Sequence, residues 1–283
     1  MKFIIIFLLI ANQIIFSQLN PGAKQISLAN SDVALSNDVF AIFNNPAGLA
    51  QINWREIGIY YSPAPFGLSE LANGYVAYHE PTSLGSFTIG AMSYGFELYR
   101  ESKLALSYSN IYLKRFFYGL TFNFHSLNIK NYGNDYSFYL NVGALIYIHN
   151  NFRFGFFVNN INRATFSDEK SQIPTSFDFG FSYDILPELA ANISVQKDYN
   201  FKPTFNFGID YDLVDNLSIR SGFSNNPSKY TAGIGINYSS FSLDYAIFSH
   251  SDLGLTHQVG LIISFNVETN RKKLIQQFLN LPN

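Results

Sequence analysis

Several features are scarce in this sequence, and each scarcity removes a class of function. The 283 residues contain no cysteine, which excludes disulfide scaffolds, thiolate metal sites and a lipid-modified N-terminal cysteine. Only 13% of the residues are charged, and the formal net charge of −2 gives no basic surface for nucleic acid. There is no phosphate-binding glycine loop. We therefore expect neither an enzyme nor a cofactor, and no nucleic-acid partner.

Aromatic residues are abundant, and long apolar runs are confined to the N-terminus. The chain has 29 Phe and 19 Tyr, an unusual load for a soluble enzyme. Lys2 followed by the apolar stretch 3–15 is typical of a secretory signal peptide, with cleavage expected before Gln18. This stretch is too short for a transmembrane helix. We expect an exported protein in the outer membrane of a Gram-negative type of cell.

From about Arg55 onward, apolar and polar residues alternate with a period of two. Leu255, Val259 and Leu261 lie on one face of such a run, and Thr256 and Gln258 on the other. This pattern predicts an all-β fold, a transmembrane antiparallel β-barrel of about fourteen strands in contact with outer-membrane lipid. The strands are expected near 55–62, 71–80, 85–94, 98–109, 111–126, 135–148, 152–159, 175–184, 188–197, 203–213, 217–224, 229–238, 241–249 and 254–266. A soluble β-sandwich is the alternative.

The connections between these strands fall into two groups. Short turns are expected at 109–110, 149–151, 186–188, 214–216 and 239–240, with a slightly longer one at 81–84. Longer loops are expected at 63–70, 127–134 and 160–174. Short periplasmic turns and longer external loops are typical of membrane barrels. Tyrosines at strand ends predict interfacial girdles, namely Tyr60, Tyr75, Tyr183, Tyr211, Tyr230, Tyr238 and Tyr245.

The segment before the barrel predicts a short helix followed by a sharp bend. Ser36 or Asn37 is the expected N-cap, with Asp38 in the first turn. Pro46 ends the helix, and Gly48 permits a tight turn. We assign 1–17 to the signal peptide, 18–54 to an N-terminal hatch, 55–266 to the barrel and 267–283 to an amphipathic tail. The apolar residues of the hatch must be buried, namely Phe40, Ile42, Phe43 and Leu49.

The run Asn45-Pro46-Ala47-Gly48-Leu49-Ala50, preceded by Asp38 and Phe43, resembles the hatch of FadL-like outer-membrane barrels, and most closely the PorV/PorQ branch. The stretches 173–180 and 244–257 are similar to that pattern as well. The resemblance implies a component of protein secretion or cell-surface attachment (type IX secretion), with secretion-system proteins or secreted cargo as partners. It assigns the hatch to Asp38, Phe40, Phe43, Asn45, Pro46, Ala47, Gly48 and Leu49, and an external surface to His250, Ser251, Asp252 and Gly254.

Two alternatives remain open. One is a FadL-like channel for uptake of hydrophobic small molecules, in which the hatch moves, with Gly48 as a hinge. The short external loops favour a static plug over this channel. The other is a barrel enzyme that uses His125 with Asn123, although no third, orienting group is identifiable.

Polar residues of the inward phase define the expected lumen. Asp210 should lie opposite Arg220 across a tight turn, as a structural pair first and a selectivity element second. His125 should face the lumen, hydrogen-bonded to the hatch. His250 and His257 lack carboxylate neighbours at ligand spacing, so we expect no metal site.

The C-terminal tail predicts an amphipathic helix. Thr269 or Asn270 is the expected cap, and the apolar stripe contains Leu274, Ile275, Phe278 and Leu279. Three basic residues at its start oppose the helix dipole, so the helix is marginal unless it docks. We expect it at the periplasmic rim, held by the barrel, the membrane surface or a partner.

Overall fold

A computed structural model of the chain describes residues 21–166, 173–250, 253–267 and 271–279. Within these residues, fourteen antiparallel strands close into one barrel in which each strand pairs with its neighbours in sequence and β1 pairs with β14. The predicted barrel of about fourteen strands is therefore confirmed. The strands are β1 Glu56–Ser62, β2 Asn73–Thr82, β3 Gly85–Gly95, β4 Tyr99–Tyr112, β5 Phe116–Ile129, β6 Gly133–His149, β7 Phe152–Asn159, β8 Ser176–Leu186, β9 Leu189–Asp198, β10 Thr204–Val214, β11 Leu217–Asn225, β12 Ser228–Tyr238, β13 Phe241–His250 and β14 Gly254–Ser264.

The alternation of side chains follows the predicted phase. On β14, Leu255 and Val259 are exposed on the outer surface, whereas Thr256 and Gln258 are buried inside. The other strands repeat this order, so an apolar band surrounds the barrel and the inner wall carries small and polar residues. No helix among the described residues is long and apolar enough to cross a membrane.

The two ends of the barrel differ. At one end, here called the turn end, the connections 83–84, 113–115, 150–151, 187–188, 215–216 and 239–240 are two or three residues long. At the other, here called the loop end, only 63–72 and 160–175 exceed five residues. The long loop predicted at 127–134 is wrong, because β5 ends at Ile129 and β6 begins at Gly133, which leaves a connection of three residues. The turn predicted at 109–110 is wrong as well: Asn110 pairs with Tyr118 in the ladder, and the chain reverses at Leu113 and Lys114, which adopt positive φ angles.

Two tyrosines predicted in the interfacial girdle instead lie inside the barrel. Tyr60 and Tyr75 are buried on the inward phase of β1 and β2, with ring centroids 5.7 Å apart. Their rings meet Phe40 and Phe43 of the hatch edge-on, at 6.5 and 5.1 Å. A tyrosine suits either the interface or a packed lumen, so residue type alone did not distinguish them.

The hatch, residues 21–54 of the described chain, fills the barrel. It contains helix α1 (Ala23–Ser27), a 3-10 helix at Asp32–Ala34, helix α2 (Ala41–Asn44) and a 3-10 helix at Pro46–Gln51. The predicted helix begins at Ala41, later than expected, and neither Ser36 nor Asn37 caps it; the Phe40 amide just before it donates to the Asp38 carboxylate. The predicted bend occurs at Asn45, which is extended, and Gly48 lies within the following 3-10 helix. Hatch and inner wall together form the main hydrophobic core.

A third α-helix, α3 (Arg271–Phe278), follows the last strand. Its Ile275, with Leu279 just beyond it, is buried in the core that contains the hatch. The predicted signal peptide, Ser251 and Asp252, and the expected caps Thr269 and Asn270 lie outside the described residues.

Candidate functional site

The hatch follows the inner wall around the whole barrel. Its first half passes from β14 to β7: Ala23 lies beside Gly260, Leu28 beside Gly208 and Gly222, and Val33 beside Gly155. Its second half passes from β1 to β6, with Val39 against Gly58 and Phe43 against Gly90. At these wall positions other than Gly260, a Cβ atom would collide with the hatch, which explains why the contacts recur at glycines.

The hatch and the inner wall approach each other most closely at the Asn45–Ala47 segment of the hatch. A Cβ atom at Gly119 would lie 2.4 Å from the Pro46 carbonyl carbon, and one at Gly143 would lie 2.1 Å from Asn45 Oδ1. Asn45 Nδ2 donates to the Val33 carbonyl at 2.8 Å and to the Ala144 carbonyl of β6 at 3.1 Å. The Asn45 side chain therefore joins both halves of the hatch to the wall.

Asp38 organises the hatch from within. Its carboxylate accepts hydrogen bonds from Gln25 Nε2 at 2.7 Å and from the Phe40 amide at 3.0 Å. Lys24 donates to Asn37 Oδ1 at 2.7 Å beside this pair. The two halves of the hatch are thus held together by buried polar contacts. Phe40, Phe43, Ala47, Gly48 and Leu49 complete the buried segment.

The hatch contains one acid without a matched cation nearby. Burial raises the pKa of Asp32 to about 7, and Asp38 adds to the shift while Lys24 opposes it. Asp32 is therefore a hatch group whose charge changes near neutral pH.

On the loop side of the hatch, the lumen next to β3–β6 contains packed aromatic rings, here called the aromatic cluster. Tyr139 and Phe166 are buried there, and Tyr94 and Tyr99 meet edge-on with centroids 6.4 Å apart. Lys103 Nζ lies 5.5 Å from the ring centre of Phe43 in the hatch. The loop side of the lumen is therefore rich in aromatic rings.

His125 lies in the aromatic cluster, against Tyr139 and Phe166, and does not bond to the hatch as predicted. Its Nε2 is 3.0 Å from Glu101 Oε2, and Glu101 also accepts a short hydrogen bond from Tyr99. Phe166 covers the imidazole edge-on at 5.1 Å, and His125 Nδ1 has no hydrogen-bond partner among the described residues. Glu101 is the orienting group that the sequence did not identify. Asn123 bonds only to backbone carbonyls at 3.5 Å.

The barrel wall is irregular next to β6. The β6–β7 ladder reaches only Val142, although β6 begins at Gly133. Beyond that point residues 160–162 run beside β6, and Asn162 bonds to the Leu140 amide at 2.9 Å and to the Phe138 carbonyl at 3.1 Å. Side-chain bonds here replace part of the backbone ladder that closes the rest of the barrel.

On the turn side of the hatch, the lumen is polar. Asp210 lies opposite Arg220 in register, and Arg220 bonds to Asp210 at 2.8 Å and to Asp244 at 2.5 Å. A cavity of about 120 Å³ lies beside this triad, bounded by Lys24 of the hatch and Arg271 of α3. Sequence reasoning found the first pair but not Asp244 as its third member.

The predicted external surface is dispersed. His250 ends β13 and contacts the ring of Phe66, 5.8 Å away, while Gly254 begins β14 with a positive φ. His257 faces outward and bonds to the Tyr245 hydroxyl at 2.6 Å. The two histidines therefore lie on different faces, and the described residues contain no cluster of three or more potential metal ligands.

Comparison with solved structures identifies the architecture. The monoaromatic hydrocarbon channel CymD aligns over 88% of this chain and 97% of its own, with a TM-score of 0.66 and 12% identity. The chain has the FadL-like fold. A Pseudomonas aeruginosa FadL homologue aligns over 86% of this chain and 97% of its own (TM-score 0.58, 12% identity). The Pseudomonas putida toluene transporter TodX aligns over 80% and 93% (TM-score 0.57, 11% identity). No family model and no curated protein matches the sequence.

Within this FadL-like barrel, the residues that sequence reasoning missed are wall residues that contact the hatch or each other across strands. Glu56, Glu101 and Lys103 carry no local motif, since their partners lie on other strands or in the hatch. The inward glycines offered the one available signal, because they recur on the inward phase of strand after strand.

Proposed function

We propose that this protein is an outer-membrane channel for hydrophobic small molecules, with the loop end facing outward and the turn end facing the periplasm. The observation that carries the proposal is the aromatic cluster on the loop side of the lumen, together with Phe43 of the hatch, which packs edge-on against Tyr75. Tyrosine and phenylalanine rings favour an apolar, and particularly an aromatic, occupant. The hydrocarbon channels with the same fold support this choice.

Passage requires the hatch to move, since it fills the lumen. The irregular wall beside β6 supports a sideways route, because side-chain bonds from Asn162 are easier to break than a continuous ladder. The polar turn side, with its buried Arg220 triad, is a poor path for a hydrocarbon. We therefore favour a route from the aromatic cluster through the wall, opened by hatch movement.

This proposal replaces the secretion component as the preferred function. The PorV/PorQ interpretation depended on sequence resemblance and on a static plug, and the similar structures reported above are hydrocarbon channels. We also propose that the protein acts without catalysis. His125 has an orienting Glu101, but its Nδ1 has no hydrogen-bond partner among the described residues.

A disulfide that locks the hatch tests the channel. A lock at Ala47 is unsuitable, because a Cβ atom at Gly119 or Gly143 would lie within 3.1 Å of the Ala47 backbone nitrogen. A Cβ atom at Gly260 would lie 3.5 Å from Ala23 Cβ, which is within the range for a disulfide. Since the chain has no native cysteine, the pair Ala23→Cys and Gly260→Cys forms the one bridge.

Cells expressing the double variant should take up a labelled monoaromatic hydrocarbon slowly when oxidised and normally after reduction. Each single-cysteine variant is the control and should be insensitive to reductant. Uptake no faster than in cells without the protein would refute the channel. Uptake unaffected by the closed lock, together with lost surface display of secreted proteins in a protein-null strain, would favour the secretion function instead.

A further inference from the structure

Glu56, at the turn end of β1, connects four separate parts of the molecule. It is fully buried. Its carboxylate accepts hydrogen bonds from the Val39 amide at 3.2 Å, from Trp54 Nε1 at 2.6 Å and from Ser264 Oγ of β14 at 2.9 Å. Arg271 of α3 completes the set at 2.6 Å. The hatch, the first strand, the last strand and the C-terminal helix therefore meet at one carboxylate.

Arg271 provides the positive charge at this point. Among the ion pairs of the described residues, it is the one cation within 4 Å of Glu56. A buried carboxylate that loses its counterion is strongly destabilised, because neither water nor another charge replaces the lost interaction. The hydrogen bonds from Val39 and Trp54, which position the hatch, therefore depend on a residue in the C-terminal helix.

Arg271 also contacts the hatch directly. Its Nη1 donates to the backbone carbonyl of Asn37 at 3.0 Å, and its guanidinium lies over the Trp54 ring at 5.6 Å. A planar guanidinium with several donors can make these contacts together, whereas a lysine ammonium cannot reproduce the set. The arginine therefore joins the helix to the hatch as well as to the wall.

A second ion pair anchors the other side of the helix. Lys272 bonds to Asp212 of β10 at 2.9 Å. Ile275 and Leu279 are buried in the same core as Val39. The helix thus spans from the β1–β14 seam toward β10, and it borders the polar cavity that separates hatch and wall.

We propose that helix α3 is a latch that holds the hatch in its closed position, with Arg271 as its positioning residue. While the helix is docked, Arg271 compensates Glu56 and binds the Asn37 carbonyl, so the second half of the hatch stays on the wall. When the helix undocks from the barrel, the Glu56 carboxylate loses its counterion and the hatch is released from the wall at the turn end. The C-terminal helix, acting from the periplasmic side, thereby controls a plug formed by the N-terminus.

Exposure of the hatch is the direct readout. In a protein without native cysteine, Ala41→Cys places a single thiol in α2, at a fully buried position just after Val39 and Phe40. The purified protein in detergent is treated with a maleimide reagent, and the labelling rate is measured. We expect Arg271→Gln to raise this rate by at least about tenfold, with heat-modifiable gel mobility showing that the barrel is intact.

Lys273→Gln is the matched control, because it removes the same charge from an exposed position on the same helix. It should leave the rate within about twofold of the parent. Glu56→Gln combined with Arg271→Gln should label more slowly than Arg271→Gln alone, since no buried charge then remains uncompensated. An unchanged rate in Arg271→Gln, or an equal increase in Lys273→Gln, would overturn the latch.

Arg271→Lys keeps the proposal testable if the glutamine variant fails to fold. This variant retains the charge but loses the guanidinium contacts with the Asn37 carbonyl and the Trp54 ring, so its labelling rate should lie above that of the parent protein. A rate equal to that of the parent would count against the latch. The latch goes beyond the proposed channel. Because the labelling assay uses no transported compound, its result can refute the latch without bearing on the channel, and the uptake assay can refute the channel without bearing on the latch.

Discussion

The close contact between Gly119 and the hatch makes a quantitative prediction. A Cβ atom there would lie 2.4 Å from the Pro46 carbonyl carbon and 2.6 Å from the Ala47 nitrogen, both of them backbone atoms. Ordinary contact begins near 3.4 Å, so Gly119→Ala requires the hatch to shift by about 1 Å. Overpacking of this kind costs about 1–3 kcal/mol.

Gly260→Ala is the matched control, because Gly260 also faces inward from a strand beside the hatch. The nearest atoms to its Cβ, in Ala23, lie at 3.5 Å, which is an ordinary contact. Both substitutions reduce the entropy of the unfolded chain to the same extent. The difference between them therefore isolates the collision with the hatch.

The free energy of unfolding is measured from urea titrations of the purified proteins in detergent. Gly119→Ala should be less stable than Gly260→Ala by about 1–3 kcal/mol, and its heat-modifiable band should convert at a lower temperature. Equal stability of the two variants would refute the close fit between the hatch and the wall at Gly119.

Three further predictions test the outer face, the buried triad and the hatch acid. Ile234→Arg, on the lipid-facing phase, should cost about 2–4 kcal/mol in unfolding titrations, whereas Ser228→Arg at an exposed strand end should be tolerated; equal effects would contradict the phase. Asp244→Asn should destabilise the barrel by about 2–3 kcal/mol, because Arg220 keeps only one of its two carboxylates, and a neutral result would argue against a buried triad. Since burial raises the folded-state pKa of Asp32 to about 7, its contribution to stability is greatest below pH 4 and is lost as the pH rises through 7. Urea midpoints should therefore fall between pH 5 and pH 8, and Asp32→Asn should flatten that slope; parallel slopes would exclude this role.

The barrel was predictable because its signal is local. Alternation with a period of two, punctuated by short turns, locates all fourteen strands, and on β14 it assigns Leu255 outward and Thr256 inward as observed. The pairing of Asp210 with Arg220 followed from a tight turn between neighbouring strands, which is also local information.

Errors arose where residue type was ambiguous. Asn110 is a common turn residue, yet it continues a ladder here, while Leu113 and Lys114 form the turn with positive φ angles that their side chains disfavour. Tyr60 and Tyr75 occupy strand ends, but the lumen phase and the hatch rings decide their position.

The most informative parts of the site depend on contacts that are distant in sequence. Glu101 reaches His125 across one ladder, and Glu56 reaches Arg271 from the opposite end of the chain. No fixed sequence separation predicts either pair. The first depends on the register between two long strands, and the second forms only where the first strand meets the C-terminal end of the chain. Such pairs become visible only in three dimensions.

The path of the hatch around the inner wall imposes an order on assembly. Its second half, with Val39 and Phe43, contacts β1 and β3, which are synthesised soon after it. Its first half, with Ala23 and Leu28, contacts β10, β11 and β14, so the residues made earliest must wait for the strands made last. Contacts of such long sequence separation form slowly, since a long loop must close first. The first half of the hatch can therefore pack against the inner wall only after the final strand has closed the barrel.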